Sequence, residues 1–430
     1  MDISRPGPPS RTDWLRLDNA AKIYPASVKD ATPPVFRLTA SFRQPIRIQP
    51  LQDAVDAISQ RTPYYQVYLK PGVFWYYLEQ HSRRTLIQPL SDETIGTIPL
   101  GRRNQQLIQI SARSNTVAID FSHVLTDGYG GMIFLSSVIA EYLRRLGHDI
   151  TVEEPFLSPD EPPAADEYVD AYQQIFEKAA TKSENQKPAY HIGGTPSDRY
   201  RLITATMPIS DVLQVSRGYG VTLTEYLVAA KINAVADIYK EHRSSLFRPK
   251  SSIARIEVPV NMRRLFPSKT MRNFSLFVAP EVDLGLGACE FAGILKAVHH
   301  QMNLQLDRNQ LLRQVARNVG GERNALVRAI PRPIKYAYLS YLKRTIGNRT
   351  HSGVVSNLGR FLLPPDAVPH VDSVRFVLGP NHAFKAGCSV VSFGDHLNVT
   401  IGSVLENRAL ERSFFRRFTT DGIHVAVREE

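Results

Sequence analysis

The stretch Thr116-Val117-Ala118-Ile119-Asp120-Phe121-Ser122-His123-Val124-Leu125-Thr126-Asp127-Gly128 keeps a period of two up to a histidine and then breaks it. Val117, Ile119 and Phe121 alternate with Ala118, Asp120 and Ser122, the pattern of a strand with one apolar face. The same alternation puts His123 on the side of the three hydrophobes, pointing inward at the strand end. An imidazole held there loses solvent, which lowers its pKa, keeps it neutral near pH 7 and lets it accept a proton. Asp127 follows four residues on, where strand gives way to helix. There it can cap the helix or take an ion pair, while Gly128 permits a sharp turn. A core histidine satisfied by a backbone partner, followed by an ordinary N-cap aspartate, fits the same residues. Spacing alone leaves both readings open.

Outward from this stretch, residues 128–146 read as a mostly apolar helix. Residues 105–123 form a hairpin turning near Ser114–Asn115, and 64–80 a second one turned at Pro71–Gly72. Residues 35–43 alternate as a strand, and Leu51, Val55 and Ile58 fall at helical spacing. Between 150 and 200 Pro155, Pro159, Pro162 and Pro163 sit among acidic residues, followed by a polar helix to about Ala180 and a turn-forming run over 183–198. Beyond lie a strand at 200–208 and a capping box, Thr222 to Glu225, opening a helix to about 242. Strands at 252–260 and 275–284, helices over 289–346, four strands within 353–404 and a helix near 408–418 complete the chain. Strands and helices in both halves predict two α/β domains with mixed or antiparallel sheets, 1–175 and 200–430, joined by a linker at 176–199.

The chain has 430 residues, 43% hydrophobic and 22% charged, an ordinary globular balance that excludes disorder and coiled coil as the main state. Single cores stop growing near ~250–300 residues, which again favours two domains. Cys289 and Cys388 are too few for a disulfide framework and lack zinc-site spacing, so no metal is expected. The first thirteen residues lack the apolar core of a signal peptide and no apolar run is long enough to span a bilayer, so a cytoplasmic location is expected. The formal charge of +11 favours an anionic partner: nucleic acid, membrane surface, phosphate-bearing cofactor or acidic protein. Phosphate-loop, dinucleotide, zinc-protease and nucleophile-elbow signatures are all missing.

The octet Phe121–Gly128 and its surroundings resemble the chloramphenicol acetyltransferase-like superfamily, which includes peptide-synthetase condensation domains and CoA-dependent acyltransferases carrying H-x-x-x-D-G. Trp14–Pro25, Val260–Phe274 and Ser356-Asn357-Leu358-Gly359 are similar to segments of bacterial alcohol acetyltransferase-like members, and 220–230 resembles the helix opening their second domain. The resemblance runs over nearly the whole chain. It implies two α/β sandwich domains with a channel between them, entered by donor and acceptor from opposite faces. It implies that His123 is the general base and that no acyl-enzyme forms. Asp127 is then an orienting residue paired with an arginine, for which Arg263 is the candidate with Arg264 behind it, and Gly128 and Arg263 give structural support. Ser356 and Asn357 are candidates for a loop near the channel, and Arg272 and Asn273 for donor contacts. One departure stands out: Ser122 replaces the first histidine of H-H-x-x-x-D-G.

The resulting expectation is an acyltransferase moving an acetyl or short acyl group from acyl-CoA, a co-substrate rather than a bound cofactor, to a small alcohol or amine. The rivals are a condensation-type enzyme fed by a carrier protein and a non-catalytic binding module on the same scaffold. No nucleic-acid motif is recognised, and no nucleic-acid partner is expected. The 325–346 helix is amphipathic and basic, a pattern of membrane-surface helices and of helices packed in a bundle, the second being favoured.

Overall fold

Alternating apolar residues let Val35–Phe42 and Thr116–Ser122 pair antiparallel at the centre of a five-stranded sheet. In the computed structural model, which describes residues 14–27, 34–91, 95, 98–179, 186–243, 249–287, 290–345, 347–381 and 383–429, the order of that sheet is 371–378, 35–42, 116–122, 108–113 and 87–89. Only the edge strand Ile87–Pro89 runs parallel to its neighbour. The hairpin 108–122 turns at Ser114, which takes a positive φ of 54°. Helices Ile48–Arg61 and Gly128–Arg145 lie against this sheet and bury Leu51, Val55, Ile58 and an almost unbroken run from Gly130 to Leu143. A small antiparallel sheet joins Trp14–Arg16, Tyr76–Gln80 and Val67–Pro71.

The second sheet has eight strands: 275–278, 253–261, 353–360, 386–393, 396–405, 196–208 and 426–429 in order, with 281–283 also on 253–261. Strand Gly353–Arg360 is parallel to both neighbours, so this sheet is mixed. Helices Leu223–Arg243, Phe291–Gln305 and Ala409–Thr420 cover it, with Tyr226, Val298, Phe414 and Phe418 in a second apolar core. The helix from Leu223 opens on the capping box: Thr222 N–H donates to Glu225 Oε2 (2.7 Å) and Glu225 N–H to Thr222 Oγ1 (3.3 Å). The fold is mixed α/β around two apolar cores.

Several elements differ from their local pattern. The polar helix over 164–180 reduces to two short turns, Ala165–Glu167 and Ala171–Gln174. Helix Ile209–Gly218 and strand Ala426–Glu429 are additional. Strand Val371–Leu378 pairs with Val35–Phe42, so a segment near the C-terminus completes the first sheet. Its apolar alternation says that it is a strand, and only long-range pairing says with whom. Cys388 is buried and unpaired, while Cys289 lies outside the described residues, as do residues 1–13 and 183–185 of the turn-forming run. Among the described residues no helix is long and apolar enough to cross a membrane.

Candidate active site

The chain leaves the sheet at Ser122 through a turn closed by Leu125 N–H donating to the Ser122 carbonyl (2.9 Å). Ser122 Oγ accepts from Val124 N–H (3.3 Å), so the residue standing where condensation domains carry a first histidine is spent on the turn. His123 is then fixed from two sides. Its N–H donates to the Pro34 carbonyl (3.0 Å) and its carbonyl accepts from Asn273 Nδ2 (3.0 Å). The half-buried ring stacks on Tyr24 with centroids 5.4 Å apart and tilts against Phe36 at 4.8 Å. Nδ1 is buried without a hydrogen-bond partner among the described residues. Burial lowers the imidazole pKa to about 4, while attraction from Asp127 and an interaction with the Thr126 backbone oppose the shift without reversing it. The ring is neutral at pH 7.

Asp127 caps the 128–145 helix, its Oδ1 accepting from Gly130 N–H (3.1 Å). Its Oδ2 accepts from Arg263 Nη1 and from Phe274 N–H, both at 2.8 Å. The side chains of Asp127 and Arg263 are 8% and 6% exposed, so this is a buried ion pair. Arg263 also donates to the carbonyls of Thr270 and Arg272 and lies over the Tyr129 ring at 4.7 Å. Asp127 does not touch the imidazole. It ties the His123 turn to the 261–274 segment.

Arg272 and Asn273 belong to the same buried assembly. Arg272 donates to the Arg16 carbonyl (2.6 Å) and stands 3.6 Å from Asp18, while its side chain also reaches a cavity wall. Asn273 is buried, holding Asp18 (3.1 Å) as well as His123. Ser356 and Asn357 lie within strand Gly353–Arg360 rather than in a loop after it, at a register irregularity between 357 and 360. Asn357 is spent on Thr224 Oγ1 and Gly359 N–H. The segment nonetheless borders the motif: a Cβ on Gly128 would meet Leu358 Cδ1 at 3.1 Å. Arg264 is exposed beside Gly359.

Sequence reasoning passed over several neighbours. Tyr65 sits with its hydroxyl 2.8 Å from Thr126 Oγ1 and 2.6 Å from the Met271 carbonyl, a second bridge between the same two segments. Gly130 makes room for it, since a Cβ there would strike Thr126, Met271 and Tyr65. Asp18 is fully buried, which raises its pKa against the pull of Arg272. Burial pushes the Glu257 carboxyl up to about 7, and its charge reaches Tyr24, the ring stacked on His123. An aspartate set among Leu15, Leu17, Ala20 and Ala21 was the one available signal. A cavity of about 810 Å³ opens between Trp14–Arg16, the 74–77 aromatics, Arg272 and Arg328.

This architecture is the condensation-domain and chloramphenicol acetyltransferase-like acyltransferase fold. Among solved structures, F. graminearum TRI101 complexed with coenzyme A and deoxynivalenol aligns at TM-score 0.64 and 12% identity, covering 96% of this chain and 99% of that one. The TRI3 trichothecene 15-O-acetyltransferase from Fusarium sporotrichioides aligns at 0.58 and 11%, covering 95% and 94%. The first condensation domain of the calcium-dependent antibiotic synthetase, in complex with a substrate analogue, aligns at 0.57 and 13%, covering 95% and 96%. No known family profile matches the chain, and no curated protein matches it significantly. At such identities the likeness establishes the fold.

Proposed function

We propose that the protein is an acyltransferase that moves an acetyl or short acyl group from acyl-CoA to the hydroxyl or amine of a small acceptor, with His123 as general base. The observation that carries this reading is the state of His123: a neutral imidazole, partly open to solvent, its backbone clamped by Pro34 on one side and Asn273 on the other. The coenzyme A bound to the aligned TRI101 structure supports the choice of donor.

In this mechanism His123 takes the proton from the acceptor as the acceptor oxygen or nitrogen attacks the thioester carbonyl. The tetrahedral adduct collapses, the carbon–sulfur bond breaks, and the imidazolium returns its proton to the departing thiolate. No bond forms to the protein. General-base catalysis of this kind supplies about 10²–10⁴-fold. Asp127 and Arg263 act by holding the turn, and Arg272 and Asn273 by holding Asp18 and the His123 carbonyl. Contacts of Ser356 or Arg272 with substrate remain part of the proposal, whereas Asn357 and Asn273 are committed to internal bonds.

A thiol-release assay with a panel of acyl-CoAs crossed against alcohols and amines tests the reading. Saturable thiol release that requires both substrates supports it. Turnover only with the acyl group loaded on a carrier protein would instead make the protein condensation-type, and silence with every thioester would leave a binding module.

A further inference from the structure

The stretch from Ala325 to Thr345 holds five Lys and Arg residues and no acidic one, and so carries five of the chain's eleven net positive charges. The same stretch leaves large apolar side chains bare: Leu326 is 81% exposed, Ile334 64%, Tyr338 61% and Tyr341 62%. Val73 and Phe74, at the tip of the 67–80 hairpin, are exposed beside them. The tip is bonded to the start of helix Arg332–Thr345, with Arg332 N–H donating to the Val73 carbonyl (3.0 Å) and Lys335 Nζ to the Phe74 carbonyl (3.2 Å). That helix is anchored on its other side, where Tyr336 Oη donates to the Lys22 carbonyl and Ser340 Oγ to the Ala26 carbonyl. Ile334, Tyr338 and Tyr341 therefore lie on a held element, and exposed apolar side chains gathered in this way mark an interaction site.

The chemistry of the face selects its partner. Tyrosines beside Leu, Ile and Phe match the graded polarity of a lipid headgroup layer, and surrounding arginines match its phosphates. A second copy of the chain would bring two strongly basic surfaces together, which charge opposes. An acidic protein would answer the charge but not the exposed Phe74, Leu326 and Ile334. The aromatic-walled cavity shares Phe74 and Arg328 with this face, so it opens on the same side.

We propose that the face formed by the 71–75 hairpin tip and the 325–345 helices seats the protein on an anionic lipid bilayer, with Phe74, Leu326, Ile334 and Tyr338 at headgroup depth. This does not depend on the acyl-transfer reading. Flotation of the full chain with vesicles of phosphatidylcholine, and of phosphatidylcholine mixed with phosphatidylglycerol, tests it. The protein should float with the mixed vesicles and far less with the neutral ones. Ile334→Asp with Tyr338→Asp should cut that binding by about tenfold or more. Arg328→Gln should weaken binding to anionic vesicles by about fivefold. All three positions are exposed, and unchanged circular-dichroism melting verifies that the variants fold. Wild-type protein that floats with neither vesicle overturns the proposal, as does flotation unaffected by the two aspartates. So does light scattering or pull-down in which these substitutions abolish a dimer or an acidic-protein complex while vesicle binding is absent.

Discussion

Replacing Asp127 by alanine separates an aspartate that holds the site from one that merely caps a helix. A cap alone is worth about 1 kcal/mol. Asp127 also neutralises Arg263 and accepts from Phe274 N–H, all of it buried. Breaking a buried pair by removing one partner costs about 3–5 kcal/mol, because the remaining charge is left uncompensated. Arg263 keeps the carbonyls of Thr270 and Arg272, which places the loss toward the lower end of that range. Asp127→Asn retains the shape and one acceptor oxygen but turns an amide toward Arg263, for about 1.5–3 kcal/mol. The turn carrying His123 would shift with the lost tie, and a displacement of about 1 Å costs on the order of 10²-fold in rate. Urea unfolding and steady-state thiol release measure both effects. The double variant Asp127→Ala with Arg263→Met should lose less stability than the two single losses together, since neither charge is then stranded. An alanine variant within about 1 kcal/mol of the parent and equal to it in kcat would refute the argument, because a surface cap predicts that result.

His123→Ala should fold normally and lower kcat by about 10²–10⁴-fold, and a folded variant with near-parental turnover would remove His123 as the base. Because burial holds its pKa at about 4 rather than 6.5, the His123 limb of the pH–rate profile should fall near pH 4, and a limb centred at 6.5 would contradict the burial. The same depression means that the unfolded chain binds this proton first, so His123's contribution to stability is present above pH 6.5 and disappears as pH falls toward 4. Lys231 Nζ is buried without a hydrogen bond among the described residues, and burial lowers its pKa, so Lys231→Met should gain about 1–3 kcal/mol at pH 7. That gain should shrink as pH rises toward 10.5, where the unfolded amine also loses its proton, and melting curves across this range would expose a constant gain as a packing effect.

Most of what the sequence discloses is local. The strand at 116–122, the Thr222–Glu225 box and the turn at Ser114–Asn115 each depend on residues within a few positions, and each is present in the fold, although the strand is buried on both faces rather than one. The partner of Val371–Leu378 is more than three hundred residues away at Val35–Phe42, and no periodicity encodes that pairing. Prolines made 150–200 legible as irregular, but the polar run after them lacks an apolar stripe to hold a helix against a core. At the site, the His123 turn was visible because a histidine takes the next apolar place at the end of an alternation. The Asp18–Arg272–Asn273 assembly was legible only in part: Arg272 and Asn273 stood out as candidates for donor contacts, but their tie to Asp18, 255 positions from Asn273, leaves no local mark. Gly130 was hidden for a different reason: its need to be glycine comes from Tyr65 and Met271, which approach from elsewhere.

The four-residue spacing from His123 to Asp127 invites a catalytic dyad, and the bonds argue against one. Both carboxylate oxygens are occupied, by Gly130 on one side and by Arg263 and Phe274 on the other. The imidazole Nδ1 has no hydrogen-bond partner among the described residues. The spacing is therefore what a strand, one turn and a helix N-cap require. The turn from Ser122 to Leu125 ends the strand, Thr126 Oγ1 is committed to the Met271 carbonyl, and Asp127 caps the helix. In the proposed mechanism, proton transfer and positioning would be divided between two residues that do not share a hydrogen bond. An aspartate on Nδ1 would attract the proton and raise the imidazole pKa, whereas here desolvation dominates and the imidazole stays neutral. The carboxylate instead stabilises a buried guanidinium from the other half of the chain, so its charge secures the place of His123 and leaves the basicity of His123 to burial.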